Sequence, residues 1–188
     1  MQSINTAPHS SGDDSWLKTY YFGRAAVSAA WVFLAFRAIH SDDLSALLFV
    51  FYPLWDALAN WVDGVRSGGL AKNSPQLFNV IVSLTVAAAV YLVLPDMHHV
   101  LSVFGAWAVL SGALQLSTGL RRRKLYGAQW AMMLSGAQSA LAGGVFIFQA
   151  QAAATPTIAT VAGYAGFGAF YFLVSALSLS ISDWRRNK

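Results

Sequence analysis

Charged and amide side chains stand where this sequence is most apolar. Arg24 lies among aromatic residues and alanines. Asp56, Asn60 and Asp63 follow one another at i, i+4 and i+7 in an apolar run, a spacing that puts all three on one helix face. A third apolar run carries Gln76, Asn79 and Ser83. Reflecting the chain about a turn centred near 41.5 sets Arg24 level with residue 59, beside Asn60 and within a turn of Asp56. Reflection about the next turn, near 69.5, sets Asn79 level with Asn60, Ser83 with Asp56 and Gln76 with Asp63. One polar layer through three helices is therefore expected. A charge at mid-bilayer costs about 2.5–3.5 kcal/mol even on a lenient insertion scale, so it persists where it is paired or lines water. Two chemistries fit: an ion, proton or solute site built on Arg24, Asp56, Asn60, Asp63, Asn79 and Ser83, or a structural Arg24–Asp56 pair that closes one hairpin. Asp63 and Arg66 fall near the end of their run, where solvation also accounts for them.

A second titratable group lies between the apolar runs. His40, Asp42, Asp43, Asp96, His98 and His99 fall in two short connections, with Arg37 at the edge. Histidine titrates between pH 5 and 8 and carboxylates near 4. A face bearing these groups and no lysine turns positive in acid. The plainer account is solvated loop residues, with Asp serving as helix N-caps. Metal binding by His98 and His99 is disfavoured, because adjacent residues on a helix point about 100° apart. No nucleotide-binding loop, zinc-protease motif or nucleophile elbow is present, and no catalytic residue or cofactor is indicated. Nucleic-acid modules are likewise absent.

These residues must be positioned by membrane helices. The 188-residue chain is 56% hydrophobic and 11% charged, and its eight acidic residues are all Asp. An ordinary soluble domain is about 25% charged. Glutamate is a leading surface helix former, and its absence argues against a water-facing helical protein. The lack of cysteine excludes disulfides, thiolate catalysis and zinc–thiolate sites. Six apolar stretches, 20–39, 44–63, 75–95, 98–118, 127–148 and 157–181, each approach the roughly 20 residues of a spanning helix. The fold expected is all-α: a six-helix membrane domain over 20–181 made of three hairpins. A flexible tail precedes it over 1–19 and a basic tail follows over 182–188. Ten of the twelve Lys and Arg fall on one side, including the run Arg121–Lys124, and the positive-inside rule makes that side and both termini cytoplasmic. Trp16, Trp61, Trp130 and Trp184 fall near the same side, as an aromatic belt does. Membrane lipids are the expected partners; self-association and any solute stay open.

The even helices resemble one another. With Asp56, Gly112 and Ser175 aligned, each is followed by Ala-Leu, and an arginine stands ten residues on: Arg66, Arg122 and Arg185. The anchors are 56 and 63 residues apart, which points to a hairpin repeated three times. Small residues at Gly136, Ala140 and Gly144, and at Gly105, Gly112 and Gly119, are read as helix-packing stripes. Pro53, one turn before Asp56, is the candidate for a kink.

The segments FGAWAVLSGALQLSTGLRRRK and YGAQWAMMLSGAQSALAGGVFIF resemble the HdeD-like membrane proteins, a broad bacterial family carrying a domain of unknown function. The likeness is best over 98–148 and extends over 20–181. The first hairpin departs from it: Gly23-Arg24 and Asp56-Ala57 stand where the family has Arg-Gly and Asp-Gly. The resemblance implies six helices in the bacterial inner membrane, a link to acid resistance, and no enzymatic activity, cofactor or agreed site. The expected function is thus a non-catalytic inner-membrane protein contributing to acid or other stress tolerance. The alternative is a small transporter or channel that uses the layer around Arg24, Asp56, Asn60 and Asn79.

Overall fold

A computed structural model describes residues 11–122 and 129–186, apart from the side chains of 11–14, 118–119, 121–122, 129–132 and 186. Six helices follow in order: α1 (Ser11–Arg37), α2 (Asp42–Arg66), α3 (Ser74–Val93), α4 (Met97–Arg122), α5 (Gln129–Gln149) and α6 (Ile158–Arg186). Single 3-10 turns at Ala38–His40 and Leu70–Lys72 help join the first three. Among the described residues there is no strand. Ser15–His40, Asp42–Arg66, Ser74–Val93, Met97–Ser117 and Ile158–Arg185 are each long and apolar enough to cross a bilayer. Leu92 and Phe148 are both 78% exposed, surface that suits lipid rather than water. The chain is a helical, multi-pass membrane protein.

α1 starts nine residues before the expected span, so 11–19 is helix rather than a free tail. The extension has partners: Trp16 Nε1 donates to Asp63 Oδ1 on α2 at 3.4 Å, and Lys18 pairs with Asp183 on α6. The last helix likewise runs on through 182–186. Ser41, not Asp42 or Asp43, caps α2: its side chain accepts from the Leu44 amide at 3.4 Å. The two aspartates sit in the first turn, where the helix dipole favours them.

The closest helix pairs are α4–α5, α1–α6 and α2–α3; α3–α4 and α1–α2 are looser, and α5–α6 is the loosest of the pairs adjacent in sequence. The hairpins α1–α2, α3–α4 and α5–α6 expected from the short connections are thus looser than the seams between them. The tight seams join one hairpin to the next and return α6 to α1, closing a ring. Glycine is one reason. A Cβ on Gly112 would lie 2.5 Å from the Ala140 nitrogen, and one on Gly143 would lie 2.5 Å from the Gly105 oxygen. Only glycine lets the α4 and α5 backbones approach so closely. Gly144, expected in that stripe, faces open space, and Gly143 takes its place. The contact of Gly119 lies outside the described residues.

The apolar core occupies the half of the bundle nearer the connections at 38–41, 94–96 and 150–157. Trp31, Phe49, Val90, Leu101, Phe104, Ile158 and Val161 pack there in one cluster. Trp31 Nε1 donates to the Leu48 carbonyl at 2.8 Å, next to the stretch of α2 where Pro53 lacks an amide proton. The Arg24–Asp56 ion pair lies in the opposite half.

Candidate functional site

Asp56 is the hub of that opposite half. Its Oδ1 accepts from Arg24 Nη2 in an ion pair across α1 and α2. Its Oδ2 accepts from Ser83 Oγ of α3 at 2.7 Å and from Asn60 Nδ2 at 3.1 Å. The same Asn60 amide reaches the Asp56 carbonyl at 2.8 Å, and Asn79 Nδ2 donates to Asn60 Oδ1 at 3.4 Å. The Arg24 and Asp56 side chains keep 14% and 19% of their exposure. Arg24, Asp56, Asn60, Asn79 and Ser83 therefore meet, at the relative depths that reflection about the turns indicates.

Three neighbours of this layer are missing from the sequence reading. Tyr20 accepts from Arg24 Nη1 at 3.0 Å; its i−4 spacing is a signal that could have found it. Phe172 of α6 lies under the guanidinium, 4.4 Å from ring centroid to carbon. It comes from the far end of the chain, and only the α1–α6 packing brings it there. Trp16 is the third, bonded one tier below. In that tier Asp63 accepts from Trp16 Nε1 and, at 3.1 Å, from Gln76 Nε2, while Arg66 lies 4.6 Å over the Trp16 ring. Asp63 thus belongs to a neighbouring cluster and makes no direct bond to Asp56.

Asp56 has a cation on one oxygen and two neutral donors on the other, which leaves little capacity for a further ligand. Arg24 Nε and Trp55 Nε1 are buried with no hydrogen-bond partner among the described residues, and neither offers surface to water. An open apolar groove of about 360 Å³ lies instead on α6, lined by Gly163, Gly166, Phe167 and Phe170. None of these four residues belongs to the polar layer.

A separate set of hydroxyl contacts joins the last three helices. Ser139 Oγ and Tyr164 Oη are 2.7 Å apart, Ser139 Oγ donates to the Ala108 carbonyl at 3.1 Å, and Tyr171 Oη donates to Gln138 Oε1 at 2.7 Å. These side chains bridge α5 and α6, the loosest pair of helices adjacent in sequence.

The titratable face divides into two places. Asp96 caps α4: Oδ1 accepts from the amides of His98 at 2.9 Å and His99 at 3.2 Å, and Oδ2 pairs with His99 Nδ1 at 2.8 Å. The His99 ring, and then the two amides, hold the Asp96 carboxyl below its ordinary range. His98 Nδ1 lies 3.0 Å from the Ala150 carbonyl, just past α5. His40 ends a 3-10 turn, and Asp42 and Asp43 open α2. Among the described residues, no hydrogen bond or ion pair connects His40, Asp42 or Asp43 to the Asp96 cap. No three described histidines or aspartates stand close enough to share a metal ion. Arg123 and Lys124 lie outside the described residues, as do the side chains of Arg121, Arg122 and Trp130. Comparison with protein-family models, with curated proteins and with solved structures gives no match for this chain.

Proposed function

We propose that this chain is a non-catalytic, six-span protein of the HdeD-like type, placed in the bacterial inner membrane with both termini cytoplasmic, whose buried charges fasten the helices together. The engaged carboxylate of Asp56 carries this reading: Arg24 bonds one of its oxygens, and Ser83 and Asn60 bond the other. A solute site presents open polar groups to the solute, whereas three donors converge on this carboxylate and the unpartnered Arg24 Nε is buried. The ring of tight seams supports a threefold hairpin repeat, since each even helix packs on the next odd helix and α6 packs on α1. The same packing lets every hairpin be alike while the chain ends meet at one seam.

The role in acid or other stress tolerance rests on the residues that resemble the family and on the titratable groups outside the spans. The test is acid survival of cells that lack the protein and are complemented with wild type or with the triple variant His40→Gln, His98→Gln, His99→Gln. Wild type restores survival and the triple variant, expressed equally, does not. Equal survival with and without the protein overturns the stress role. Retained survival in the triple variant removes the histidines from it. Solute flux by the purified protein in liposomes, abolished by Asp56→Leu, would replace this reading with the transporter.

A further inference from the structure

We propose that the ordered basic loop between α2 and α3 is a headgroup site for an anionic phospholipid. The loop is fixed from within. The Asn73 side-chain amide donates to the carbonyls of Ser67 at 2.8 Å and Gly69 at 2.9 Å. The Gly69 amide returns to the Gly64 carbonyl at 3.0 Å, and Gly68 and Gly69 both take φ of +99°, a conformation suited to glycine. Gly64 leaves room for Leu70, whose Cδ2 would lie 2.5 Å from an added Cβ.

This frame presents two cations. Arg66 ends α2 and Lys72 ends the 3-10 turn, both exposed. The nearest carboxylate in sequence for Arg66 is Asp63, but its oxygens are taken by Trp16 and Gln76. The guanidinium lies over the Trp16 ring instead, and neither cation has a carboxylate partner among the described residues. Immediately along the two helices from the loop, Trp61, Val65, Leu77 and Phe78 are exposed and apolar. Unpaired cations above an apolar band match an amphiphile with an anionic head: phosphate oxygens accept from Arg66 and Lys72 while acyl chains cover the α2 and α3 surfaces. A zwitterionic head brings its own ammonium to the same place and gains less.

The test is thermal unfolding of the full chain in phosphatidylcholine nanodiscs with increasing phosphatidylglycerol. Wild type is stabilised by phosphatidylglycerol. Arg66→Gln and Lys72→Gln each weaken its apparent affinity about fivefold, the equivalent of about 1 kcal/mol per basic residue near a membrane surface. Lys72 is exposed and makes no side-chain hydrogen bond or ion pair among the described residues, so Lys72→Gln leaves the phosphatidylcholine melting temperature unchanged. Arg185→Gln, at the far end of α6, retains the wild-type response. Equal melting in both lipids overturns the proposal. So does an equal loss in Arg185→Gln, which would mean diffuse attraction, or equal stabilisation by soluble glycerol phosphate, which would mean a free-phosphate site.

Discussion

Removing Asp56 should destabilise the bundle more than removing Arg24, and removing both should cost less than the two losses added. In Asp56→Leu, Arg24 keeps the Tyr20 hydroxyl and the Tyr20 and Phe172 rings but no carboxylate, while Ser83 and Asn60 lose their carboxylate acceptor. In Arg24→Leu, Asp56 keeps both neutral donors. Breaking a buried pair in a soluble protein costs about 3–5 kcal/mol; partial exposure and snorkelling should bring Asp56→Leu to about 2–3 kcal/mol. Arg24→Leu should cost about 1–2 kcal/mol, because hydrogen bonds to a charged group offset part of the loss. The double variant should show a coupling of about 1–2 kcal/mol, within the range of contacting residues. The assay is reversible unfolding in lipid–detergent micelles of the wild type, both single variants and the double variant. Losses that add to within about 0.5 kcal/mol would mean that the residues do not interact, and the reasoning would fail.

Gly136→Val should destabilise by about 1–3 kcal/mol, the usual cost of overpacking. Its new Cβ would lie 2.6 Å from the Leu116 nitrogen, whereas Gly144→Ala meets nothing and should be neutral or stabilising. Equal effects in a thermal melt would remove glycine as the cause of the α4–α5 approach. The lowered Asp96 carboxyl contributes stability at neutral pH that is lost as pH falls through its folded value. The melting difference between wild type and Asp96→Ala should therefore shrink in acid, and a constant difference would contradict the cap. With no native cysteine, Ser67→Cys should be labelled from the cytoplasm and Gln151→Cys from outside. Labelling of both from one side would overturn the proposed topology.

The polar layer was legible because short connections force neighbouring helices to run antiparallel, so reflection about a turn gives depth. Asp56, Ser83, Asn60 and Asn79 meet for that reason. Depth says nothing about which helices lie closest, and the ring of seams depends on side-chain size at contacts far apart in sequence. Phe172 beneath Arg24 is such a contact. The stripe on α5 was half right for a geometric reason. Steps of four advance about 400°, so Gly144 has drifted about 80° from Gly136, whereas Gly143 is within about 20°. The helical start at Ser11 was hidden because 11–19 is polar, and its partners Asp63 and Asp183 lie on other helices. The hydroxyl contacts of Tyr164 and Tyr171 were masked in the same way, since single hydroxyls in an apolar helix carry no periodic signal.

On the proposed reading no water path runs through the Arg24–Asp56 layer to Ser83, although the Arg24 and Asp56 side chains are themselves partly exposed. Cysteine accessibility at Ser83 tests it most directly. Ser83 is 1% exposed, it bonds Asp56, and the chain has no other thiol. A Ser83→Cys variant in lipid vesicles should resist a charged, membrane-impermeant thiol reagent applied to either side, under conditions that fully label Ser67→Cys from one side. Rapid modification of Ser83→Cys from either side would reveal water at Asp56 and contradict the account.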